Sequence, residues 1–306
     1  MTDITFAQDI EALTPRPILE EITVLIPTLG RDLLAGCLKS IASGTAWPAR
    51  LVVVDQSSSE KVAQWLGELN CIGLPGQQIC SSQQGIASAM NCGLKRIETR
   101  FVAVTHDDCR VATDWLSQLE IHLRANPNVV FTGQVIPGGD RVVVSINTMS
   151  NPVRYTRPKL SGSILFPNNM GCAMTSFDEV GLFDESVVFR AAAEDNDLYY
   201  RALRAKIAIR YEPSVQVTHL DWRDSSQLAA TYRSYARGQS GLYGKYLRRG
   251  DLFVALRVIM AMGRAARRWL FGIIRGDQEM IDRGKAFLLE LPPGIVAGWR
   301  GSAASE

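Results

Sequence analysis

The chain has 306 residues, of which 46% are hydrophobic and 21% are charged, and its formal net charge is +2. This composition is that of an ordinary globular protein, with room for one large domain or for one domain and a tail. No uncharged run is long enough to cross a bilayer, and the six cysteines form neither a CxxC pair nor a zinc-ligand spacing, which excludes an integral membrane protein and a zinc module.

The N-terminal segment is polar and acidic, and it lacks the features of a signal peptide. We therefore expect a cytoplasmic protein with reduced core cysteines, either soluble or peripheral to a membrane. Residues 1–20 are predicted to form an arm that ends at the helix breakers Pro15 and Pro17.

Strands and helices alternate along the next part of the chain. We predict strands at 22–26, 51–55, 77–81, 101–105 and 128–136, and helices at 32–43, 56–69, 85–97 and 114–124. Such alternation with short loops is typical of a mostly parallel sheet that is covered on both faces. Ligands of these sheets bind at the carboxyl ends of the strands.

The pattern changes after residue 135. The Gly-rich link IPGGDR is predicted to be a hairpin and not a phosphate loop, because the strand-like run VVVSIN follows it. Further along, we predict strands in GSILFP and MGCAMTS, a turn in FDEVGLFDE, a helix at 194–206 and two short strands around Pro213 in 208–220.

The tail from residue 225 is predicted to be largely helical and basic. Residues 1–224 carry a formal charge of −5, and residues 225–306 carry +7. The stripe residues Arg257, Arg264, Arg268 and Arg275 fall on one side of a helix, opposite Val, Ile, Met and Trp side chains. Two interpretations stay open, namely contact with an anionic membrane surface and a helix packed on its own domain with arginines outward. Two glycines, Gly263 and Gly272, argue against one continuous helix.

The apolar strand FVAVT (101–105) ends on His106, Asp107 and Asp108. Adjacent carboxylates repel each other, and they suit a hard divalent cation, which commonly bridges protein carboxylates to substrate phosphates. The alternative is a helix-capping cluster. The strand-end location, shared with residues 27–31 and with Asp55, favours the cation.

Other polar residues have a structural and a functional interpretation. Asp55 follows the second strand, where it either accepts hydrogen bonds from a ribose or base or caps a helix. The first strand leads into IPTLGR and not into GxGxxG, so a dinucleotide-binding dehydrogenase is not expected. Glu194, Asp195 and Asp197 share the first turn of a helix, where they either complement its dipole or supply a general base. His219 is either structural or part of the site.

Seven motifs occur in order between residues 20 and 222. They are VLIPTLGR, VVVDQSS, GIASAMNCGL, THDDCRVATDWL, VGLFDE, EDNDLYYRAL and YEPSVQVTHL. Together they resemble a family 2 glycosyltransferase with a GT-A fold, an α/β domain with a mostly parallel, Rossmann-like sheet flanked by helices. The resemblance implies a GT-A domain at 21–222, with a nucleotide-binding half (21–135) and an acceptor half (136–222), followed by a helical region at 223–306.

The resemblance also implies roles for single residues. The nucleotide-sugar-binding residues would be Pro27, Thr28, Arg31, Asp55, Gly85, Asn91, His106 and Asp107. Asp108 and His219 would be the metal ligands, with Mg²⁺ or Mn²⁺ as the cofactor. Asp195 would be the base that deprotonates the acceptor hydroxyl, and Glu194 would support it or contact the acceptor. Two residues depart from the family pattern: His106 replaces an aspartate, and Met90 replaces an arginine beside the nucleotide.

The activity implied is inverting, metal-dependent transfer of a hexosyl or deoxyhexosyl group from a nucleoside-diphosphate sugar to a glycan or glycolipid hydroxyl. The implied setting is bacterial surface polysaccharide or lipid-linked oligosaccharide assembly at the inner face of the cell membrane. The alternatives are a sugar-phosphate nucleotidyltransferase and a non-catalytic nucleotide-sugar-binding protein. Nucleic acid is not expected as a partner, since the basic stripe lacks a recognition module.

Overall fold

The computed structural model describes residues 14–57, 59–139, 145–160, 162–186, 189, 192–220 and 225–301. Residues 225–229 are described by their backbone only. The chain divides into two compact units. The first comprises Met1–Arg157, Ile164–Leu182 and Arg201–Trp222, and the second comprises Pro158–Ser163, Phe183–Tyr200 and Arg223–Glu306. The boundaries predicted at residues 20 and 222 stay predictions.

The first unit is built on one mixed sheet. Among the described residues its nine strands are β1 (Ile18–Thr28), β2 (Trp47–Asp55), β3 (Gly76–Cys80), β4 (Phe101–Thr105), β5 (Cys109–Val111), β6 (Val129–Gly138), β7 (Val153–Tyr155), β8 (Asn169–Ala173) and β9 (Ala208–Leu220). Their order is β3-β2-β1-β4-β8-β6-β9-β5, and β7 pairs with β9.

Parallel pairing brings the ends of the first strands to one edge. β1 pairs in parallel with β2 and β4, and the register sets Thr28 opposite Asp55 and Leu25 opposite Val104. The residues that follow β4 therefore lie beside the end of β1. These strands are buried apolar runs, as expected for a sheet covered on both faces.

The other half of the sheet is mixed. β8 runs antiparallel to both β4 and β6, whereas β6 and β9 are parallel. The three-residue strand β5 pairs antiparallel with β9, which sets Cys109 opposite His219. This short pairing fixes the segment that directly follows Asp108.

Four helices pack on the sheet, with their apolar sides in the core. They are α1 (Leu33–Ala42), α2 (Lys61–Cys71), α3 (Ile86–Leu94) and α4 (Trp115–Ala125), followed by the short α5 (Ser176–Val180). The core includes Trp47, Trp65, Phe101, Trp115 and Phe131. This α/β arrangement, with its mainly parallel mixed sheet, is of the GT-A type that the sequence predicts.

Several local predictions were wrong. No strand was predicted at β5, and the strand expected in GSILFP is absent from its described residues. The segment predicted to be a turn contains α5, and the two strands expected around Pro213 are one strand, β9, with a register irregularity. Asp114, predicted to cap α4, makes no capping hydrogen bond with its side chain. Most of the hairpin predicted after residue 136 lies outside the described residues.

The second unit is helical. It holds most of α6 (Glu194–Arg204), together with α7 (Ser225–Arg248), α8 (Leu252–Arg275) and α9 (Gln278–Gly301). The expectation that Gly263 and Gly272 argue against one continuous helix was wrong, because α8 runs without a break from Leu252 to Arg275. A Cβ on Gly272 would lie 2.8 Å from the Ile281 nitrogen of α9. Gly272 thus permits close helix packing and not a break. None of the described helices is long and apolar enough to cross a membrane.

Candidate active site

The end of β1 and the loop after β4 are joined by hydrogen bonds. Thr28 Oγ1 donates to Asp107 Oδ2 at 2.7 Å, and Arg31 Nη1 lies 3.3 Å from Asp107 Oδ1. Burial and the adjacent Asp108 charge raise the pKa of Asp107, while Arg31 and Thr28 oppose that rise. The sequence thus correctly predicts that these separated residues meet at the carboxyl edge of the sheet.

Asp55 is held in one orientation at the end of β2. It is 1% exposed. Its Oδ1 accepts from the Ser57 nitrogen at 2.8 Å and from Ser57 Oγ at 2.7 Å, and its Oδ2 accepts from Gln78 Nε2 at 2.9 Å. Ser57 and Gln78 were not predicted as site residues. Ser57 lies two residues after Asp55, whereas Gln78 is brought to Asp55 by the pairing of β2 with β3. Such a fixed carboxylate suits recognition of a nucleotide's hydroxyl or N–H groups.

Three further predicted nucleotide residues lie in or beside this edge. Pro27 is buried in β1 opposite Val54. Gly85 begins α3 with a φ of 115°, a conformation that favours glycine, and its carbonyl accepts from Gln56 Nε2 at 3.1 Å. Asn91 is buried within α3. Each keeps its nucleotide-binding role as a prediction.

Asp108 and His219, both predicted site residues of the first unit, lie next to each other. His219 Nε2 lies 3.5 Å from Asp108 Oδ2, and both side chains are buried. Burial by itself raises the pKa of Asp108, but the hydrogen bond and charge of His219 outweigh it and hold the pKa below its usual range. Asp108 is therefore ionised, as a metal ligand must be.

His106 is neutral in this environment. Burial lowers the pKa of His106 to about 4, against the opposing effect of Asp108. Its Nε2 atom is buried and has no hydrogen-bond partner among the described residues. A neutral imidazole with a free ring nitrogen is a polar contact for a ligand and not a counter-charge.

The metal prediction fits these residues in part. Among the described residues, no group of three or more His, Cys, Asp or Glu side chains is arranged to hold a metal ion. Asp108 and His219 would supply two ligands, and the His219 Nδ1 atom is buried without a partner among the described residues. Mg²⁺ and Mn²⁺ sites of this kind are usually completed by water and by substrate phosphates. The pair therefore fits a cation that arrives with a diphosphate.

The second unit carries the predicted catalytic pair at the start of α6. Asp195 Oδ1 accepts from the Asn196 nitrogen at 2.6 Å and from Asn196 Nδ2 at 2.9 Å. Burial raises the pKa of Asp195, and burial together with the Asp195 charge raises the pKa of Glu194. The Glu194 Oε2 atom is buried without a hydrogen-bond partner among the described residues. Carboxyls with raised pKa values are suited to proton transfer near neutral pH.

The backbone before this pair is strained. Ala193 has a φ of 75°, which an alanine rarely adopts. A Cβ on Gly238 of α7 would clash with the Ala192 carbonyl oxygen, so α7 packs directly against this segment. The strained turn is therefore held by close helix packing, and it sets where Glu194 and Asp195 point.

Asp197, the third acidic residue of this turn, has a structural role. Asp197 is fully buried, and its Oδ1 accepts from Lys245 Nζ at 2.6 Å and from the Tyr246 hydroxyl at 2.9 Å. Lys245 also contacts Asp184 Oδ2 at 2.8 Å. This ion-pair network anchors α6 to α7, and it had no local signal in the sequence.

The structure thus brings the first unit's predicted residues to one sheet edge and places Glu194 and Asp195 together in the second unit. The model of the family described as glycosyl transferase family 2 matches residues 23–180, more than half of the chain. The chain belongs to glycosyl transferase family 2.

Curated relatives and solved structures agree with this membership. The chain is 27% identical over 224 residues to the pre-mycofactocin glycosyltransferase of two Mycobacterium tuberculosis strains, an alignment that covers 66% of this chain and 43% of each relative. The chain therefore spans less than half the length of these relatives.

Two solved structures share the fold. The mannosyltransferase PcManGT from Pyrobaculum calidifontis, in complex with GDP-Man and Mn²⁺, has a TM-score of 0.57 and 14% identity, and the match covers 100% of this chain and 95% of that one. GalNAc-T7 with UDP, GalNAc and Mn²⁺ has a TM-score of 0.55 and 15% identity, covering 78% and 51%. At this identity the likeness concerns the fold.

Proposed function

We propose that the chain is an inverting, metal-dependent glycosyltransferase. It transfers a hexosyl or deoxyhexosyl group from a nucleoside-diphosphate sugar to a hydroxyl of a glycan or glycolipid. The observation that carries the proposal is the ionised Asp108 beside His219, at the sheet edge that also holds Asp55 and Asp107, in a family 2 chain. The GDP-Man and UDP bound with Mn²⁺ in the two similar structures support the donor class.

The first unit binds the donor. Asp55, fixed by Ser57 and Gln78, accepts hydrogen bonds from the nucleotide's base or ribose. Asp107 and His106 contact the ribose or the sugar, and Arg31 adds positive charge beside them. Asp108 and His219 hold Mg²⁺ or Mn²⁺, which when bound offsets the negative charge that develops on the departing diphosphate.

The second unit supplies the base. Asp195 removes the proton from the acceptor hydroxyl as that oxygen attacks the sugar's anomeric carbon. The bond from this carbon to the diphosphate oxygen breaks, the nucleoside diphosphate leaves, and attack from the opposite side inverts the configuration. A raised pKa makes Asp195 a stronger base than an ordinary aspartate, and Glu194 supports it or contacts the acceptor.

The proposed setting is assembly of surface polysaccharide or lipid-linked oligosaccharide at the inner face of the cell membrane. Support comes from α8, which carries its apolar side chains outward: Leu252 is 84% exposed, Ile259 67% and Ile274 70%. Val254, Arg257, Ala261, Ala265 and Gly272 are its buried residues.

On α8 apolar side chains are exposed and an arginine is buried, whereas a helix that faces water exposes its polar residues. With the exposed Arg267, Arg268 and Arg275 nearby, the outward face suits an anionic lipid surface.

Two matched variants test the proposal. Asp108→Asn should weaken calorimetric binding of UDP or GDP in the presence of Mn²⁺ by at least about tenfold, because it removes the ionised ligand. Asp195→Asn should bind the same nucleotide normally but lose transfer by a factor on the order of 10²–10⁴, because it removes the base. Transfer is measured as release of nucleoside diphosphate from a panel of nucleotide sugars.

Asp114→Asn, an exposed change in the first unit, is the control for both variants. Full transfer by Asp195→Asn would remove the base assignment. Nucleotide binding that is equally strong with and without Mn²⁺ in the wild type would remove the metal assignment. Release of pyrophosphate in place of a nucleoside diphosphate would indicate a nucleotidyltransferase.

A further inference from the structure

The second unit contains a buried arginine that the proposed chemistry does not use. Arg257 lies on the inward side of α8 and is 2% exposed. Its Nε and Nη1 atoms have no hydrogen-bond partner among the described residues. A guanidinium stays charged at physiological pH, and a buried charge is unfavourable unless it is paired and hydrogen-bonded. The side chain is therefore costly to the unliganded protein.

The immediate neighbours of Arg257 are aromatic. Its guanidinium carbon lies 5.7 Å from the ring centre of Tyr199 on α6 and 5.9 Å from that of Tyr243 on α7. Ring faces attract a cation, but they do not satisfy its N–H groups. Burial raises the pKa of both tyrosines, and the nearby Arg257 charge opposes that rise. The guanidinium thus lies among aromatic side chains that carry hydroxyl groups.

Several carboxylates elsewhere in this unit have other partners. Among the described residues, Asp197 binds Lys245, Glu290 accepts from Arg233, and Glu279 pairs with Arg283. No described carboxylate lies within ion-pair distance of Arg257. An anion from outside the chain would supply the missing partner.

Positive charge continues along the same side of α8. Arg264 follows Arg257 after two helical turns, and its Nη2 donates to the Leu160 carbonyl at 3.2 Å. Two like charges on the same side of α8, Arg257 and Arg264, would be stabilised by a multiply charged anion.

Arg257 lies close to the proposed base along α6. Asp195 and Tyr199 are four residues apart, so their side chains project from the same face of the helix, one turn from each other. The Asp195 charge also raises the pKa of Tyr199, which confirms that the two are near each other. Arg257 and Asp195 are therefore both neighbours of Tyr199.

We propose that Arg257, aided by Arg264, binds a phosphate or diphosphate group of the acceptor. This inference rests on the proposed function, because it assigns the acceptor side of the same reaction. A planar guanidinium with unpaired donors suits a phosphate ester. A site beside Tyr199 would hold the acceptor's phosphate apart from the acceptor hydroxyl that Asp195 deprotonates. The acceptor is then a phosphate-bearing saccharide or alcohol, either water-soluble or lipid-linked.

The first test uses inorganic phosphate and the full chain, without divalent cation. Phosphate should raise the melting temperature of the wild type in a saturable way, above the effect of chloride at equal ionic strength. Arg257→Gln should weaken this apparent affinity at least about tenfold, the effect of losing a charge-assisted hydrogen bond. Arg267→Gln, an exposed change on the same helix, should leave the phosphate response unchanged.

Arg257→Met separates ligand binding from a structural role. If the buried charge serves a ligand, this apolar replacement should melt at or above the wild-type temperature without phosphate and should no longer respond to phosphate. If Arg257 only stabilises the fold, Arg257→Met should melt lower than the wild type, which would overturn the proposal. A normal phosphate response in Arg257→Gln would overturn it as well.

Two further experiments identify the source of the phosphate and show whether Arg257 affects the donor site. Glycerol phosphate should stabilise the wild type if the acceptor is water-soluble, and vesicles with phosphatidic acid should be bound in an Arg257-dependent way if it is lipid-linked. Binding of UDP or GDP with Mn²⁺ should be unchanged in Arg257→Gln. If Asp108→Asn also leaves nucleotide binding unchanged, the proposed function fails, while the phosphate response still decides the role of Arg257.

Discussion

Asp107 and Asp108 are neighbours in the chain, yet their carboxylates have opposite environments. Burial and the charge of Asp108 raise the pKa of Asp107, whereas His219 holds the pKa of Asp108 low despite its burial. Adjacent carboxylates at the end of a buried strand need polar or positive partners, and among the described residues Arg31 lies beside Asp107 and His219 beside Asp108. The remaining negative charge is the reason to expect a cation when a diphosphate binds.

The pKa of Asp195 gives a prediction about pH dependence. Burial raises this pKa, and the two hydrogen bonds from Asn196 lower it. Asn196→Ala removes one of these donors, so the pKa of Asp195 should rise further. Because the base must be deprotonated, kcat falls as the pH falls through this pKa, and its acid limb should move to higher pH in the variant. The pH profile of kcat measures the shift.

Ser163→Ala is the matched control for this profile. It removes the Ser163 hydroxyl that donates to Asn196 Oδ1 at 3.2 Å, and it leaves the donors to Asp195 in place. Its acid limb should coincide with that of the wild type. An acid limb that stays in place, or moves to lower pH, in Asn196→Ala would contradict the assignment of Asp195 as the base.

The site residues could be predicted in type and order, but their supporting contacts could not. Thr28, Asp55 and Asp108 stand at strand ends, and local patterns identify such positions. Gln78 holds Asp55 only because β2 and β3 pair in one register, and a single sequence does not encode that register locally. Arg257 was predicted as part of a stripe, yet which side of that stripe is buried depends on tertiary packing.

At the scale of elements, short pieces of backbone position the chemistry. β5 has three residues, too few for a periodic signal, but its pairing with β9 fixes His219 beside Asp108. Likewise the strained Ala193 directly precedes the acidic pair of α6. Two short features of the fold thus set the positions of the candidate site residues, and such short features are hard to predict from sequence.

Packing between α7 and the start of α6 gives a second prediction. Gly238→Ala adds a Cβ that would clash with the Ala192 carbonyl oxygen, so it should displace the turn before Glu194 and Asp195. Transfer should fall at least about tenfold, since small misplacements of catalytic groups have large kinetic effects. Nucleotide binding with Mn²⁺, measured by calorimetry, should be unchanged.

Gly263→Ala tests whether any glycine replacement has this effect. A Cβ on Gly263 meets open space in the middle of α8. This variant should keep full activity and should gain about 0.5–1 kcal/mol in the free energy of unfolding, because alanine favours helices over glycine. Wild-type transfer rates in Gly238→Ala would show that the turn does not depend on this contact.

The outward face of α8 gives a third prediction. Ile259→Asp and Ile274→Asp should each weaken sedimentation with phosphatidylglycerol vesicles by about tenfold, the effect of losing one buried aliphatic side chain. Thermal stability should change little, since both residues are exposed in the protein alone. Phosphatidylcholine vesicles should bind the wild type weakly, because they lack the negative charge.

Ile121→Asp is the matched control, since Ile121 lies on α4 of the first unit and is 59% exposed. It should sediment like the wild type. Equal loss of vesicle binding in all three variants would indicate a general effect of added negative charge, and unchanged binding in the two α8 variants would remove the membrane proposal.

For the molecule as a whole, the order of strands and helices through residue 136 could be predicted except for β5, because buried apolar runs alternate there with amphipathic segments. The mixed pairing of β8, β6 and β9 could not, since it joins segments that are far apart in the chain. The charge difference between residues 1–224 and 225–306 follows from composition, and it agrees with the basic helices α7 and α8 of the second unit.

A crystal structure of the chain with UDP or GDP and Mn²⁺ tests the central claim most directly. The account predicts that the cation contacts Asp108 and the diphosphate, that Asp55 contacts the base or ribose, and that Asp195 faces the open side of the donor site. A structure in which the nucleotide binds away from Asp108, or in which Asp195 faces a surface remote from the diphosphate, would contradict it.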